Sequence, residues 1–354
     1  MPIKVFDFFS GCGGTSAGLR SAGMDIVVGI DIDPDASATY KANFPEATFL
    51  TSDLTKTRAN KLKRNVESCR PHPILFCGCA PCQPFSKQNG ARSGKDSRSS
   101  LLSHFARFVR YYKPDFVLVE NVPGIQTVKG KFSPLADFVR LLDKLKYKHT
   151  LKIVDCRDYG VPQTRKRLVL LASRKGSISL PQKTHGGGTD LPYSTVWEWI
   201  RDFPRIEAGQ ECKKVPNHRA ANLSKSNLRR IRATPPGGSR SDWPQRLVLE
   251  CHKNGHDGHS DVYGRLRKNQ PASALTTRCI SLSNGRFGHP TQNRAISVRE
   301  AATLQTFERD FIFKGTLTSM ARQIGNAVPV LLANKLGKSF LTHRITRKKL
   351  NGHV

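Results

Sequence analysis

The chain has 354 residues, enough for two domains with cores of their own. Its 58 basic residues outnumber its 27 acidic ones, and the formal charge of +31 points to a polyanionic partner, most simply nucleic acid. No apolar run is long enough for a bilayer, the start carries Lys4 and Asp7 inside its apolar stretch, and nine cysteines without a secretion signal read as reduced thiols of a cytosolic protein.

Strand and helix patterns alternate through the first half. Residues 5–8 read as a strand and 15–22 as a helix. A strand at 25–30 precedes a helix at 34–43 that opens with proline, as first turns often do. Short strands follow at 48–50 and 74–76, then a helix at 101–112 and a strand at 116–119. Leu135, Phe138, Val139, Leu142 and Leu145 recur at helical spacing over 134–146. Strands at 151–154 and 168–171 close the series. This alternation predicts an α/β fold with a doubly wound, mostly parallel, Rossmann-like sheet.

The regularity breaks near Thr184, where Gly186-Gly187-Gly188 reads as a loop. From there to Asn293 the chain is irregular and rich in Gly, Pro, Arg and His. Ser297 and Glu300 have capping-box spacing and open a helix to Phe307, and a last helix is expected over 329–341. The expected organisation is therefore a catalytic domain, 1–184 and 294–342, interrupted by a smaller irregular recognition module, 185–293. A basic tail, 343–354, follows.

Two groups of residues carry chemistry. Phe9-Ser10-Gly11-Cys12-Gly13-Gly14 lies between the first strand and first helix, where glycines let the backbone approach a ligand and the helix start favours an anionic group. Asp31 ends the second strand, placed for ribose hydroxyls, and Asp53 lies past the third, placed for an adenine amino group. No lysine follows the glycines, so an adenosine ligand with a carboxylate, such as S-adenosylmethionine, fits better than ATP. The second group is Pro81-Cys82-Gln83-Pro84, a thiol in a stiff turn just past a buried strand, with Glu120-Asn121-Val122 at the next strand end. Such a thiol is a candidate nucleophile. Cys77, Cys79 and Cys82 suggest zinc, but no matching second pair follows at zinc-site spacing, so no metal is expected.

Taken in order, Phe-x-Gly-x-Gly-Gly, Pro-Cys-Gln, Glu-Asn-Val, Gln163-Thr164-Arg165-Lys166-Arg167 and Gln323-Ile324-Gly325-Asn326-Ala327-Val328 closely resemble the motifs of the bacterial DNA (cytosine-5) methyltransferases. The resemblance covers nearly all of 3–184 and 294–340. It implies that Cys82 is the nucleophile, that Glu120 grips the cytosine N3 edge, and that Arg167 meets the base carbonyl oxygen with Arg165 near the DNA backbone. It assigns Phe9, Gly11, Cys12, Gly13, Gly14, Asp31, Ile32, Asp53, Leu54, Pro81, Leu101, Asn326 and Val328 to the shell of S-adenosylmethionine, which would leave as S-adenosylhomocysteine. It also implies a loop after Cys82 that closes over DNA, here basic, with Ser86, Arg92, Lys95 and Arg98 as contacts. Three positions depart from the family pattern. Asp31 stands where Glu is commoner, Ile32 replaces a frequent aromatic, and Glu308 stands where Pro often follows Leu-Gln-x-Phe.

The chemistry explains the residue types. A thiolate adding to cytosine C6 turns the ring into an enamine whose C5 can attack a methyl group, which splits one hard step into two. Glu120 can share a proton with N3, and Arg167 can stabilise charge on O2. The target base must leave the duplex stack to be reached. Taken singly, Cys82 could be an inert core thiol, Glu120 a surface ion-pair partner, and the arginines phosphate contacts; the shared order singles out the family.

In the insert, Arg229, Arg230, Arg232 and Arg240 flank a Pro-Pro-Gly-Gly turn and are candidate DNA contacts, with 261–265 and 284–286 as further ones. The expected substrate is a short site in double-stranded DNA, read by a monomer on the nucleoid in a bacterial cytoplasm, with a separate restriction endonuclease as a possible companion. A tRNA methyltransferase on the same frame and a non-catalytic DNA-binding regulator are the rivals. The arginine-rich insert disfavours the first, and intact Cys82 and Glu120 the second.

Overall fold

The structure, a computed structural model, describes residues 1–80, 101–124, 133–252 and 261–350, the last seven as backbone only. In chain order the strands are β1 (Lys4–Phe8), β2 (Asp25–Asp31), β3 (Thr48–Thr51), β4 (Ile74–Gly78), β5 (Phe116–Asn121), β6 (Lys148–Asp155), β7 (Gln163–Thr164), β8 (Lys166–Ser173) and β9 (Ala272–Ser273). The helices are α1 (Gly14–Ser21), α2 (Pro34–Asn43), α3 (Lys63–Ser68), α4 (Leu101–Tyr112), α5 (Pro134–Lys144), α6 (Val196–Ile200), α7 (Lys225–Ala233), α8 (Val298–Leu304), α9 (Leu317–Asn326) and α10 (Val330–Leu350).

Seven strands form one sheet in the order β3-β2-β1-β4-β5-β8-β6. β1 to β5 pair in parallel, whereas β8 runs antiparallel to both β5 and β6. The strand order reverses between β1 and β4, so right-handed crossovers place α1 and α2 on one face and α3, α4 and α5 on the other. Alternate residues of the central strands feed the two faces. Phe6, Phe8, Phe76, Val117 and Val119 join Phe105, Phe108 and Phe138 in one core. Asp7 points the other way, toward Ser16 of α1. α10 packs on α1, where Gly18 is required because a Cβ would lie 2.3 Å from the Val330 carbonyl oxygen.

The sheet is mostly parallel, as the strand–helix alternation predicts. The antiparallel β8 follows from its link to β6, which is too short for a crossover helix. The helix expected at 329–341 continues to Leu350. α3, α6, α7 and α9 were not expected. α3 and α6 have only six and five residues, too few to show a period.

Contacts divide the chain into two compact units: Met1–Tyr159, Lys166–Lys183 and Val328–Val354 in the first, Gly160–Arg165 and Thr184–Ala327 in the second. Residues 294–327 thus group with the insert. The second unit has little regular structure, and its cohesion comes partly from buried arginines. Arg294 makes a bidentate pair with Glu300 at 2.7 and 2.8 Å. Arg265 donates to the carbonyls of Ile231, Thr234, His289 and Gln292. Among the described residues no helix is long and apolar enough to cross a membrane.

Candidate active site

The glycine turn after β1 has the backbone that its sequence demands. Gly11 and Gly13 have φ of 53° and 96°, the left-handed region in which a Cβ is strained. Phe9 sits there too, at φ 57°, a strained position for an aromatic residue. Asp31 fixes this turn: one carboxylate oxygen accepts from the Gly11 amide at 2.8 Å, the other from the Asp33 amide at 2.9 Å. Burial raises the Asp31 pKa from its ordinary value. A Cβ at Gly11 would meet nothing within 4 Å, so the turn borders open space.

Beneath the turn lies a network that the sequence did not announce. Asp7 accepts from Ser16 Oγ at 2.7 Å, and Ser16 Oγ lies 2.8 Å from Tyr40 Oη. All three are fully buried. Burial pushes the Asp7 carboxyl up to about 7 in spite of the Ser16 hydrogen bond. Tyr40 is held by shape as well, because a Cβ at Gly29 would lie 2.5 Å from its ring.

The other expected cofactor residues fall into two kinds. Ile32 is 62% exposed beside Asp31, unusual for a large apolar side chain. Asp53 is half-buried; its Oδ1 accepts from the Thr55 hydroxyl and amide at 2.7 and 2.8 Å, which lowers its pKa and leaves Oδ2 for a ligand. Leu101 is half-buried at the start of α4. By contrast, Cys12 and Leu54 turn their side chains into the core, and burial pushes the Cys12 thiol up to about 12. Only their backbones can face a ligand. Asn326 is exposed at the end of α9 in the second unit, and Val328 is buried where the chain re-enters the first.

Glu120 and Arg167 meet. Glu120 pairs with Val169 across β5 and β8, so Arg167 lies diagonally opposite on the same face, and its Nε approaches Glu120 Oε1 to 2.7 Å. Asn121 donates to the Ala80 carbonyl at 3.1 Å and so ties the end of β5 to the chain leaving β4. The middle residue of Glu-Asn-Val thus has a structural task of its own. Pro81, Cys82, Ser86, Arg92, Lys95 and Arg98 lie outside the described residues. Cys79, just before them, has its thiol 3.5 Å from Thr15 Oγ1, and burial together with the charge of Glu120 raises its pKa well above the ordinary value.

Several arginines are used differently from expectation. Arg165 was expected near DNA, yet it is buried and donates to the carbonyls of Leu275, Gly325 and Ala327. It thereby joins Gln163-Thr164-Arg165 to Gly325-Asn326-Ala327, two motifs far apart in sequence. Arg230 was expected to contact DNA, but it donates to the Leu247 carbonyl and lies over the rings of Trp243 and Tyr263. Arg265 and Arg286 are likewise spent on internal carbonyls. Arg229 and Arg232 do face solvent, and Arg240 is half-buried.

Comparison with known proteins agrees with this geometry. A family model of C-5 cytosine-specific DNA methylases matches residues 3–342, and the chain belongs to that family. It is a DNA (cytosine-5) methyltransferase of the sequence-specific type. Over 340 residues it is 39% identical to the type II methylase M.HgiDII of Herpetosiphon aurantiacus, covering 95% of this chain and 94% of that one. It is 33% identical to the type II methyltransferase M1.HphI of Haemophilus parahaemolyticus, covering 96% and 87%. Among solved structures, a prophage-encoded putative DNA modification methyltransferase from E. coli superposes with a TM-score of 0.75 at 24% identity, covering 97% and 99%, which bears on the fold alone.

Proposed function

We propose that the chain transfers the methyl group of S-adenosylmethionine to C5 of a cytosine flipped out of a short duplex site, with Cys82 as the nucleophile. The observation that carries this reading is the Glu120–Arg167 pair at 2.7 Å, next to Asn121 holding the Ala80 carbonyl two residues before Cys82. A carboxylate and a guanidinium side by side match the N3 and O2 edge of cytosine.

The pocket at the glycine turn fits S-adenosylmethionine. Open space borders Gly11, the second carboxylate oxygen of Asp53 has no hydrogen bond among the described residues, and Ile32 offers an exposed apolar surface to an adenine face. Asp31 has lone pairs left for ribose hydroxyls after accepting two amides. The cofactor supplies an electrophilic methyl group on its sulfonium.

The protein's part is then positional and electrostatic. The Cys82 thiolate adds to C6, forming an S–C bond as the ring π electrons move toward C5. Glu120 holds the proton at N3, and Arg167 holds both Glu120 and the base oxygen. After methyl transfer a base removes the C5 proton, and the electron pair expels the thiolate. Arg165 acts here as a positioning residue. The protein works as a monomer in the bacterial cytoplasm, on DNA read by Arg229, Arg232 and their neighbours.

Cys82→Ala should abolish methyl transfer and leave S-adenosylhomocysteine binding intact, and the parent should form a covalent adduct with duplex DNA carrying 5-fluorocytosine, because fluorine cannot leave as a proton does. Turnover by the alanine variant would refute the assignment. Bisulfite sequencing of DNA from expressing cells identifies the site.

A further inference from the structure

The helical flank that follows β3 carries charge that the reaction does not use. Segments 56–70 and 107–113 hold nine lysines and arginines and one acid, Glu67, whereas the whole chain has 58 and 27. Three of the nine are engaged. Arg107 donates to the Leu54 and Thr57 carbonyls, Arg70 pairs with Asp115 at 3.3 Å, and Lys63 lies 3.8 Å from Glu67. Lys56, Arg58, Lys61, Arg64, Arg110 and Lys113 are exposed and make no ion pair with any described residue.

The two segments that carry these six lie against each other. Tyr112 Oη donates to the Ala59 carbonyl at 2.6 Å and Arg107 to Leu54 at 2.7 Å, so α4 is fastened along the segment that carries Lys56, Arg58 and Lys61. Arg110 lies one turn beyond Arg107 on the same side of the helix. On α4 the charges sit at the carboxyl-terminal end, at Arg110 and, just past Tyr112, at Lys113. Tyr111, 55% exposed, interrupts the charges with an aromatic face. Like charge without counter-charge destabilises a compact protein, and a phosphate backbone relieves it with release of condensed counterions.

We propose that this flank is a second, sequence-independent contact for duplex DNA, engaging phosphates of the same duplex outside the methylated site. Exposed lysines and arginines spread over α3, the segment before it and the end of α4 suit phosphates rather than base edges. Such a contact would hold the enzyme on long DNA between sites. The inference rests on DNA as substrate and not on any role given to Cys82, Glu120 or Arg167.

The test is the combined variant Arg58→Gln, Lys61→Gln, Arg64→Gln in the full chain. The first probe is a poly(dA)·poly(dT) duplex of about 60 base pairs, which contains no cytosine; the variant should bind it about tenfold more weakly, with the slope of log K against log salt reduced by about 2 to 3. Methyl transfer to a duplex of about 15 base pairs centred on the mapped site should be unchanged, while KM for long DNA rises several-fold. An unchanged salt slope would overturn the proposal. So would an equal loss on short and long substrates, which would make the flank part of the main site. A ternary complex of the parent with a bound short substrate and a second free duplex, lost in the variant, would overturn the assignment to the same duplex. Weakened binding of poly(A) RNA with DNA binding unchanged would assign the surface to RNA instead.

Discussion

Asp7 shows how a single residue can link folding to pH. Its carboxyl is buried and pushed up to about 7. An acid whose folded pKa lies above its unfolded value binds its proton more tightly when folded, so its contribution is fully present below about 4 and is lost as pH rises toward 7. A shift of this size corresponds to at most about 4 kcal/mol. Asp7→Asn should therefore lose less stability than the parent between pH 5 and 8, as measured by urea unfolding at each pH; parallel curves would show that Asp7 does not titrate there. Asp53 is a more local probe of the cofactor pocket than Asp31: among the described residues its carboxylate holds only Thr55, two residues on, whereas that of Asp31 holds the Gly11 amide of the glycine turn. Asp53→Ala should weaken S-adenosylhomocysteine binding by about 1–3 kcal/mol with little change in stability, as read by calorimetry. Unchanged affinity would misplace the adenine end. At this scale the sequence was uneven. Glu120 and Arg167 could be named separately because each sits in an ordered motif, but their pairing needed strand register. Arg165, Arg230 and Arg265 look in sequence like DNA contacts, since nothing local distinguishes a solvated guanidinium from one that satisfies buried carbonyls.

Elements were more legible where periodicity is long. α4 is found over the residues expected, and α5 ends two residues short of its predicted limit. The capping box at Ser297 and Glu300 is present, but it does more than open α8. Burial works to raise the Glu300 pKa, yet the bidentate Arg294, then His289 and the Ser297 amide, hold it at about 2. A carboxyl with a depressed folded pKa contributes stability that is present above about 4.5 and lost as pH falls toward 2. Glu300→Gln should destabilise the protein by about 3–5 kcal/mol at neutral pH, because it strands Arg294 in the interior. The deficit should shrink in acid, where the parent also loses its carboxylate. A variant within about 0.5 kcal/mol of the parent would mean that Arg294 finds water instead.

For the whole molecule, the sequence divides where its texture changes, at 185 and 293, but compactness divides it at 184 and 327. The difference lies in long-range backbone contacts that no composition shift records. Arg294 donates to the Ile206 carbonyl at 3.0 Å, Arg299 to the Pro216 carbonyl at 2.8 Å, and Asn217 Nδ2 to the Phe313 carbonyl at 3.0 Å. Residues 294–327 therefore depend on the backbone of the insert, although their motifs belong to the family's shared frame. This sets an expectation for grafting. If recognition resides in 185–293, a chimera carrying a relative's segment between residues 184 and 327 should methylate the relative's site and keep most of the parent's stability. A chimera exchanged only at 185 and 293 should acquire the same specificity but unfold at lower urea, because Arg294 and Arg299 must find carbonyls in a foreign backbone. Bisulfite mapping reads the first property and urea denaturation the second. Should both chimeras retain the parent's methylated site, the reading surface lies outside the insert, and the exposed Arg229 and Arg232 contact phosphates alone.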